Sequence, residues 1–165
     1  MGDSDQVDEL IASWKAELPE ALGPATELVK RVMSLAAEMA AVTRRELPAF
    51  DLTPAEFDVL VTLRRIGPPY RLRPNELSGA VLLSSGGTSN IINRLGARCL
   101  VRRLEAPGDG RGALIELTDG GRALAERAVL AEAAAQEKLF AGLPPELVAR
   151  ATEALRAVGA TLRRC

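Results

Sequence analysis

The sequence predicts a mainly α-helical fold with one small β-hairpin, and three observations support this prediction. Apolar residues recur at helical spacing over most of the 165-residue chain. Two short runs of β-forming residues, 100–105 and 113–117, flank a loop of glycine, proline and aspartate, as in a hairpin. Long helical patterns stand at both ends of the chain, beyond what a small central module needs for its own core.

The first third of the chain is predicted to form two helices. The first covers residues 7–16, with apolar side chains at i, i+3, i+4 and i+7: Val7, Leu10, Ile11 and Trp14. Pro19, Gly23 and Pro24 then interrupt the pattern. The second helix runs from residue 25 to about residue 47, and its apolar face is formed by Leu28, Val32, Leu35, Met39 and Val42.

Capping signals place the next three helices. Thr53-Pro54-Ala55-Glu56 combines an N-cap threonine, a proline at the first helical position and the glutamate of a capping box. A short helix begins at Pro74, and Ser84-Ser85 caps another that covers residues 86 to about 98. We expect the inner stripe of this last helix to consist of Thr88, Ile92, Leu95 and Cys99.

The chain ends in two further predicted helices. Thr118 caps an alanine-rich helix that runs to about Phe140, and Pro144-Pro145 begins the last helix. The residues of the last helix that we expect to face inward are Leu147, Val148, Ala151, Leu155, Val158 and Leu162.

The order of the central elements, a helix, a turn, a second capped helix and a hairpin, is that of a winged helix-turn-helix. Residues 51–118 form this predicted DNA-binding region. The flanking segments, 1–50 and 119–165, are predicted to be dimerisation helices. Their apolar faces need a partner, and a two-fold copy of the chain supplies one. We therefore expect a homodimer.

The net charge of −1 conceals an uneven distribution along the chain. Residues 64–122 contain ten arginines and five carboxylates, so this segment carries +5 and the rest of the chain −6. Arginine suits forked contacts with phosphates and insertion into narrow DNA grooves. The position of this basic excess predicts double-stranded DNA as the partner.

The composition argues against an enzyme. The chain has no histidine, the most common general base and metal ligand. Cys99 and Cys165 have neither metal-type nor redox-type spacing. We therefore expect no catalytic residue, no metal and no cofactor. The acidic N-terminus lacks the apolar segment of a signal peptide, and no apolar run could span a membrane, so we expect a cytoplasmic protein.

Five short motifs, taken in order, make the chain resemble the MarR family of transcriptional regulators over about residues 52–127. They are Leu52-Thr53-Pro54-Ala55-Glu56-Phe57, Leu77-Ser78, Asn93-Arg94-Leu95, Asp109-Gly110-Arg111 and Leu117-Thr118. The resemblance implies a dimeric repressor that binds palindromic double-stranded DNA, including an operator near its own gene.

A narrower resemblance is to the PecS-like, urate-responsive branch of that family. It is carried by the early Trp14 and by Phe57-Asp58-Val59-Leu60, Leu63-Arg64-Arg65, Gly67-Pro68-Pro69-Tyr70-Arg71-Leu72 and Ser84-Ser85-Gly86-Gly87. Much of this branch has an arginine where this chain has Ile91. The difference bears on the operator sequence and leaves the expectation of DNA binding intact.

The resemblance implies that the second helix of the pair enters the major groove with its N-terminal side chains toward base edges. Serine and asparagine at that end can hydrogen-bond phosphates or bases. The wing arginine is expected in the minor groove, oriented by the wing aspartate. The predicted DNA contacts are Ser84, Ser85, Thr88, Ser89, Asn90, Asn93, Arg94, Asp109 and Arg111. The alternative is a solvated helix face and an ordinary ion pair in the wing turn.

The resemblance also implies a ligand site to which the N-terminal helices contribute, made of Trp14, Asp58, Arg65 and Arg103. Asp58 and Arg65 are two turns apart on one helix, about 10 Å along its axis. Guanidinium groups can hold a planar anion such as urate, and an indole can stack on it. We expect such a ligand to release DNA by shifting the recognition helix through Arg103. The alternative is that the charges lie at the surface or the dimer contact and Trp14 lies in the core.

Cys99 supports a second hypothesis, a redox-responsive regulator. Family members usually have glycine here, so the resemblance implies that Cys99 adopts a left-handed conformation or extends the helix. Oxidation could disturb the helix only if the thiol were exposed and reactive. We expect instead a small buried residue.

Overall fold

The computed structural model describes residues 6–81, 85–105 and 113–164. Within them lie seven α-helices and three β-strands. The helices are α1 Gln6–Glu17, α2 Pro24–Glu46, α3 Pro54–Arg65, α4 Pro74–Ala80, α5 Ser85–Ala97, α6 Asp119–Phe140 and α7 Pro145–Leu162. The strands are β1 Arg71–Leu72, β2 Val101–Glu105 and β3 Ala113–Leu117. Short 3₁₀ turns occupy Pro19–Ala21 and Leu47–Phe50. The prediction of a mainly helical fold is confirmed.

Side-chain caps set the start of the two helices for which the sequence shows the strongest signals. The hydroxyl of Thr53 accepts from the Glu56 amide at 3.3 Å, and Oε2 of Glu56 accepts from the Thr53 amide at 2.9 Å. These two bonds complete the predicted capping box of α3. At α6, Oγ1 of Thr118 accepts from the Gly121 amide at 2.9 Å. Both predicted helix starts are confirmed.

The hairpin is part of a three-stranded antiparallel sheet in the order β1-β3-β2. Strands β2 and β3 pair in register from Val101 opposite Leu117 to Glu105 opposite Ala113. Strand β1 pairs Arg71 with Glu116. The sequence indicated only two strands, because two residues are too few for an alternating pattern to be visible.

The core lies between α3, α4, α5, the sheet and the first half of α6. Its fully buried side chains come from each of these layers and include Leu60, Leu63, Leu77, Leu95 and Ile115, all at 0% exposure. Small alanines contribute from α6. This core fixes α5 against α3 and the sheet, and it leaves one long face of α5 outside.

The apolar faces of α7 and of the first part of α2 stay largely exposed within a single chain. Helix α7 buries none of its described residues, and Leu155 and Leu162 are 46% and 70% exposed. The expectation that the apolar stripe of α7 faces inward is therefore wrong for the single chain. Helix α2 buries Val42 but exposes Leu28 and Leu35.

None of the helices in the described ranges is both long enough and apolar enough to cross a membrane.

Candidate DNA interface and ligand site

The outer face of α5 carries most of the DNA contacts that the sequence predicts there. Ser89, Asn90, Asn93 and Arg94 are exposed. Thr88 is 1% exposed and packs into the core. The prediction that Thr88 contacts DNA is therefore wrong, because a buried side chain cannot reach a groove. Four predicted contacts, the side chain of Ser85 and the residues Ser84, Asp109 and Arg111, lie outside what the structure describes.

Helical periodicity explains why these polar side chains point outward. Ile91, Ile92 and Leu95 are 6%, 2% and 0% exposed and bury the opposite face of α5. Ile91 was not assigned to the predicted inner stripe, yet it belongs to the core cluster. The side chain at this position therefore supports packing and does not read DNA from an exposed surface.

Arg94 is held on one flank of α5 by a buried carboxylate. Its Nε lies 3.2 Å from Oε1 of Glu56, whose side chain is only 7% exposed while that of Arg94 is 57% exposed. Burial raises the pKa of Glu56, but the hydrogen bonds from Thr53 and the charges of Arg94 and Arg98 outweigh it. The pKa of this carboxyl therefore lies below its usual range.

A second arginine on the same flank ties α5 to the segment before α3. Nη1 of Arg98 donates to the carbonyl oxygen of Asp51 at 2.6 Å, and its Nη2 lies 3.3 Å from the Asp51 carboxylate. Asp51 adopts φ +52°, a left-handed conformation that aspartate tolerates. A cavity of about 650 Å³ lies on this flank, lined in part by Glu56, Arg94 and Arg98.

The other flank of α5 contacts strand β2. Nη2 of Arg103 donates to Oδ1 of Asn93 at 3.1 Å. The preceding residue of β2, Arg102, pairs with Glu116 of β3 at 2.5 Å. The hydrogen bond thus connects a predicted ligand residue, Arg103, to a predicted DNA contact, Asn93.

The four predicted ligand residues are distributed over three elements: Trp14 on α1, Asp58 and Arg65 on α3, and Arg103 on β2. All four are exposed, and Trp14 is 43% exposed. The alternative that Trp14 belongs to the core is therefore wrong for the single chain. The contacts of the described residues do not join any two of the four by a hydrogen bond or an ion pair.

Asp58 has a second carboxylate as a neighbour. Partial burial raises its pKa, and the negative charge of Glu132 on α6 raises it further. Glu132 itself accepts a hydrogen bond of 2.6 Å from the hydroxyl of Thr43 on α2. Three helices thus meet at this point.

A cavity of about 510 Å³ lies between α2 and the second half of α6. Its lining combines apolar and charged residues and includes Val42, Arg45, Glu46, Ala135 and Lys138. None of the four predicted ligand residues lines this cavity or the one beside Arg94.

Cys99 lies two residues after the last residue of α5 and has φ +55°. Of the two alternatives that the resemblance implies, it therefore adopts the left-handed conformation and does not extend the helix. Its carbonyl oxygen accepts from the Thr118 hydroxyl at 2.8 Å. The thiol-bearing residue is exposed, so the expectation that Cys99 is buried is wrong. Because the backbone leaves the helical conformation at Cys99, this side chain does not continue the buried stripe of α5.

Sequence reasoning missed two carboxylates at these sites. Glu56 was recognised only as a capping residue, and its contact with Arg94 joins two helices that are far apart in sequence. Glu132 lies in an alanine-rich helix without a local motif, so no signal along the chain pointed to its position beside Asp58.

Comparisons with known proteins agree with this geometry. Residues 50–112 match the model of the MarR family. The transcriptional regulator PecS of Dickeya dadantii is 27% identical over 124 residues, which cover 75% of each chain. The multiple antibiotic resistance protein MarR of Escherichia coli is 35% identical over 81 residues, 49% of this chain and 54% of that one. The first of these relatives is named as a transcriptional regulator of the helix-turn-helix type.

Solved structures extend the likeness over most of the fold. MarR of Escherichia coli without ligand is 27% identical, with a TM-score of 0.70, over 83% of this chain and 98% of that one. A mutant of the same protein complexed with operator DNA is 25% identical, with a TM-score of 0.69, over 88% and 96%.

A third solved structure, of Bordetella bronchiseptica BpsR, is described as showing a mechanism for regulation of DNA binding by 6-hydroxynicotinic acid. It is 26% identical, with a TM-score of 0.68, over 84% and 96% of the two chains. Together with the winged-helix core and the matched family model, these likenesses support a MarR family transcriptional regulator.

Proposed function

We propose that the chain binds a palindromic operator as a homodimer, represses transcription, and is released from DNA by a small anionic ligand such as urate. The observation that carries DNA binding is the outer face of α5, where Ser89, Asn90, Asn93 and Arg94 are exposed together. Such side chains hydrogen-bond base edges and phosphates. The likeness to a MarR protein whose structure was solved in complex with operator DNA supports DNA binding.

The homodimer is supported by the apolar side chains that a single chain leaves exposed at both ends. On α1 and α2 they include Leu10, Trp14, Leu28, Val32 and Met33, and on α7 they include Leu147, Val148, Leu155 and Val158. Exposed apolar side chains in this number on long helices are typical of an interface. A two-fold dimer presents two copies of α5, so its operator would be palindromic.

The hydrogen bond between Arg103 and Asn93 supports control by an anion. A ligand that takes the Arg103 guanidinium into a bidentate contact would remove it from Asn93 and thereby disturb the DNA-contacting face. The ligand then favours the state that does not bind DNA, which is the differential affinity that a ligand switch requires. Trp14, Asp58 and Arg65 complete the proposed site, with the indole stacking on the planar ligand.

The test is fluorescence anisotropy of a labelled duplex taken from the region upstream of the protein's own gene. The protein is bound first, and urate is then titrated. Release by micromolar to millimolar urate supports the whole proposal. Binding that urate does not reverse supports DNA recognition and rejects urate as the ligand, and 6-hydroxynicotinate and phenolic acids are then titrated in the same way. Absence of binding to the duplex at low salt contradicts the proposal.

A further inference from the structure

We propose that Glu56 positions the recognition helix α5 for DNA binding by holding Arg94, an inference that rests on the proposed DNA-binding function. The contact joins the first turn of α3 to the exposed face of α5. It gives Glu56 a role in DNA recognition although the carboxylate itself does not lie on the DNA-contacting face.

The two oxygens of Glu56 have different partners. Oε2 accepts from the amide and from the hydroxyl of Thr53, at 2.9 and 2.8 Å. Oε1 lies 3.2 Å from Nε of Arg94. The cap holds the carboxylate in one orientation, and this orientation presents its second oxygen to α5.

Capping alone does not explain why this carboxylate is buried. Helix α4 begins with an equivalent bond, in which Oε2 of Glu76 accepts from the Arg73 amide at 2.8 Å, and Glu76 is exposed. The side chain of Glu56 is 7% exposed. A buried carboxylate needs a cationic partner, because leaving it unpaired costs far more free energy than breaking an exposed ion pair.

The contact leaves the guanidinium of Arg94 suitable for a phosphate. Arginine donates from Nε and from two terminal nitrogens in a rigid fork. In Arg94 the nitrogen nearest the chain faces Glu56, and the side chain is 57% exposed. The terminal nitrogens can therefore donate to the DNA backbone while Nε stays on Glu56.

A second tether lies one turn further along the same flank. Arg98 bonds to the carbonyl oxygen of Asp51, just before α3. Arg94 within α5 and Arg98 just after its end thus attach this helix to the first turn of α3 and to Asp51, which precedes that turn. Two such points fix the rotation of a helix about its own axis, which decides where the exposed asparagines point.

The experiment compares Glu56→Gln, Arg94→Gln and the double variant in binding to the labelled duplex, with Glu76→Gln as the matched control. We expect Glu56→Gln to weaken binding roughly three- to tenfold, within the range of coupling between neighbouring residues. We expect Glu76→Gln, which removes an equivalent capping charge, to leave binding nearly unchanged. In the Arg94→Gln background, Glu56→Gln should weaken binding no further.

Hydrogen exchange of the free variants provides a readout that needs no DNA. We expect the α5 amides to exchange faster in Glu56→Gln than in Glu76→Gln, because only the former loses the tether. Equal exchange in the two variants overturns the inference. So does tighter DNA binding by Glu56→Gln, which would mean that the carboxylate competes with DNA for Arg94. Failure of the unmodified protein to bind the duplex contradicts the proposed function instead, and exchange still decides the role of Glu56.

Discussion

Arg103 and Asn93 are joined by a hydrogen bond of 3.1 Å that connects strand β2 to the exposed face of α5. Both residues are exposed, so the bond adds little to stability. Its importance lies in position, since it joins a residue of the proposed ligand site to a residue of the proposed DNA contact. A ligand that changes the partner of Arg103 changes the surroundings of Asn93 in the same step.

Replacement of Arg103 by glutamine should separate ligand response from DNA binding. Glutamine can still donate to Asn93, but it loses the charge and the fork that hold an anion. We expect the urate concentration for half-release to rise at least about tenfold, which is roughly 1.4 kcal/mol of lost ligand binding. Arg102→Gln, on the same strand but paired with Glu116, is the control. An unchanged urate titration in Arg103→Gln would remove Arg103 from the ligand site.

An aspartate on the apolar stripe of α7 should prevent dimerisation. Leu155 is 46% exposed in the single chain, and we expect its side chain to be buried between two copies. In Leu155→Asp, burial of the charge would be strongly unfavourable. Light scattering should then show a monomer, with DNA binding lost. Ala149→Asp places the same charge on the opposite face of α7 and should remain dimeric, whereas a monomeric unmodified protein would contradict the dimer.

Gly121 and Gly120 should respond in opposite ways to alanine. A Cβ on Gly121 would overlap the carbonyl oxygen of Leu100, while the nearest atom to a Cβ on Gly120 is 3.8 Å away. We expect Gly121→Ala to lower the free energy of unfolding by about 1–3 kcal/mol through overpacking. Gly120→Ala should be neutral or slightly stabilising, since alanine favours helix. Chemical denaturation measures both, and equal midpoints would argue against close packing of α6 on the hairpin.

Asp58→Asn should stabilise the protein in a pH-dependent way. Burial and the charge of Glu132 raise the pKa of Asp58 above 3.8, the value expected in the unfolded chain. The stability that the protonated carboxyl contributes is therefore fully present below pH 3.8 and is lost as the pH rises through the pKa of the folded state. At pH 7 the ionised form is therefore unfavourable, and asparagine removes it. We expect a higher melting temperature at pH 7 and a gain that disappears toward pH 4.

Glu132→Gln is the companion variant for this measurement. It removes the neighbouring charge and should reduce the gain from Asp58→Asn. Destabilisation by Asp58→Asn at pH 7, or a gain that does not depend on pH, would show that Asp58 does not titrate as described.

Cys99→Ser tests the redox hypothesis. The exposed position of Cys99 after α5 makes the thiol accessible to oxidants. If a ligand alone controls the protein, Cys99→Ser should bind DNA and respond to urate as the unmodified protein does, and peroxide should affect neither. A peroxide-induced loss of DNA binding that is absent in Cys99→Ser would instead support the redox-responsive regulator.

The sequence by itself determined the elements whose signals are local. The capping box at Thr53 and Glu56, the cap at Thr118 and the strand pair around the wing depend on residues only a few positions apart, and each was found where expected. The polar face of α5 followed in the same way from the helical period. Thr88 was the exception, because one position cannot belong both to the buried stripe and to the DNA face.

Only the tertiary structure decided the relationships between elements. The contacts of Glu56 with Arg94 and of Asn93 with Arg103, and the position of Glu132 beside Asp58, join side chains from different elements. The exposure of the apolar stripe of α7 was likewise decided by the tertiary structure, since the burial of a helix depends on which other elements pack against it. Local patterns follow from the period and the caps of one segment, whereas charge pairing and burial depend on distances that the packed chain alone sets.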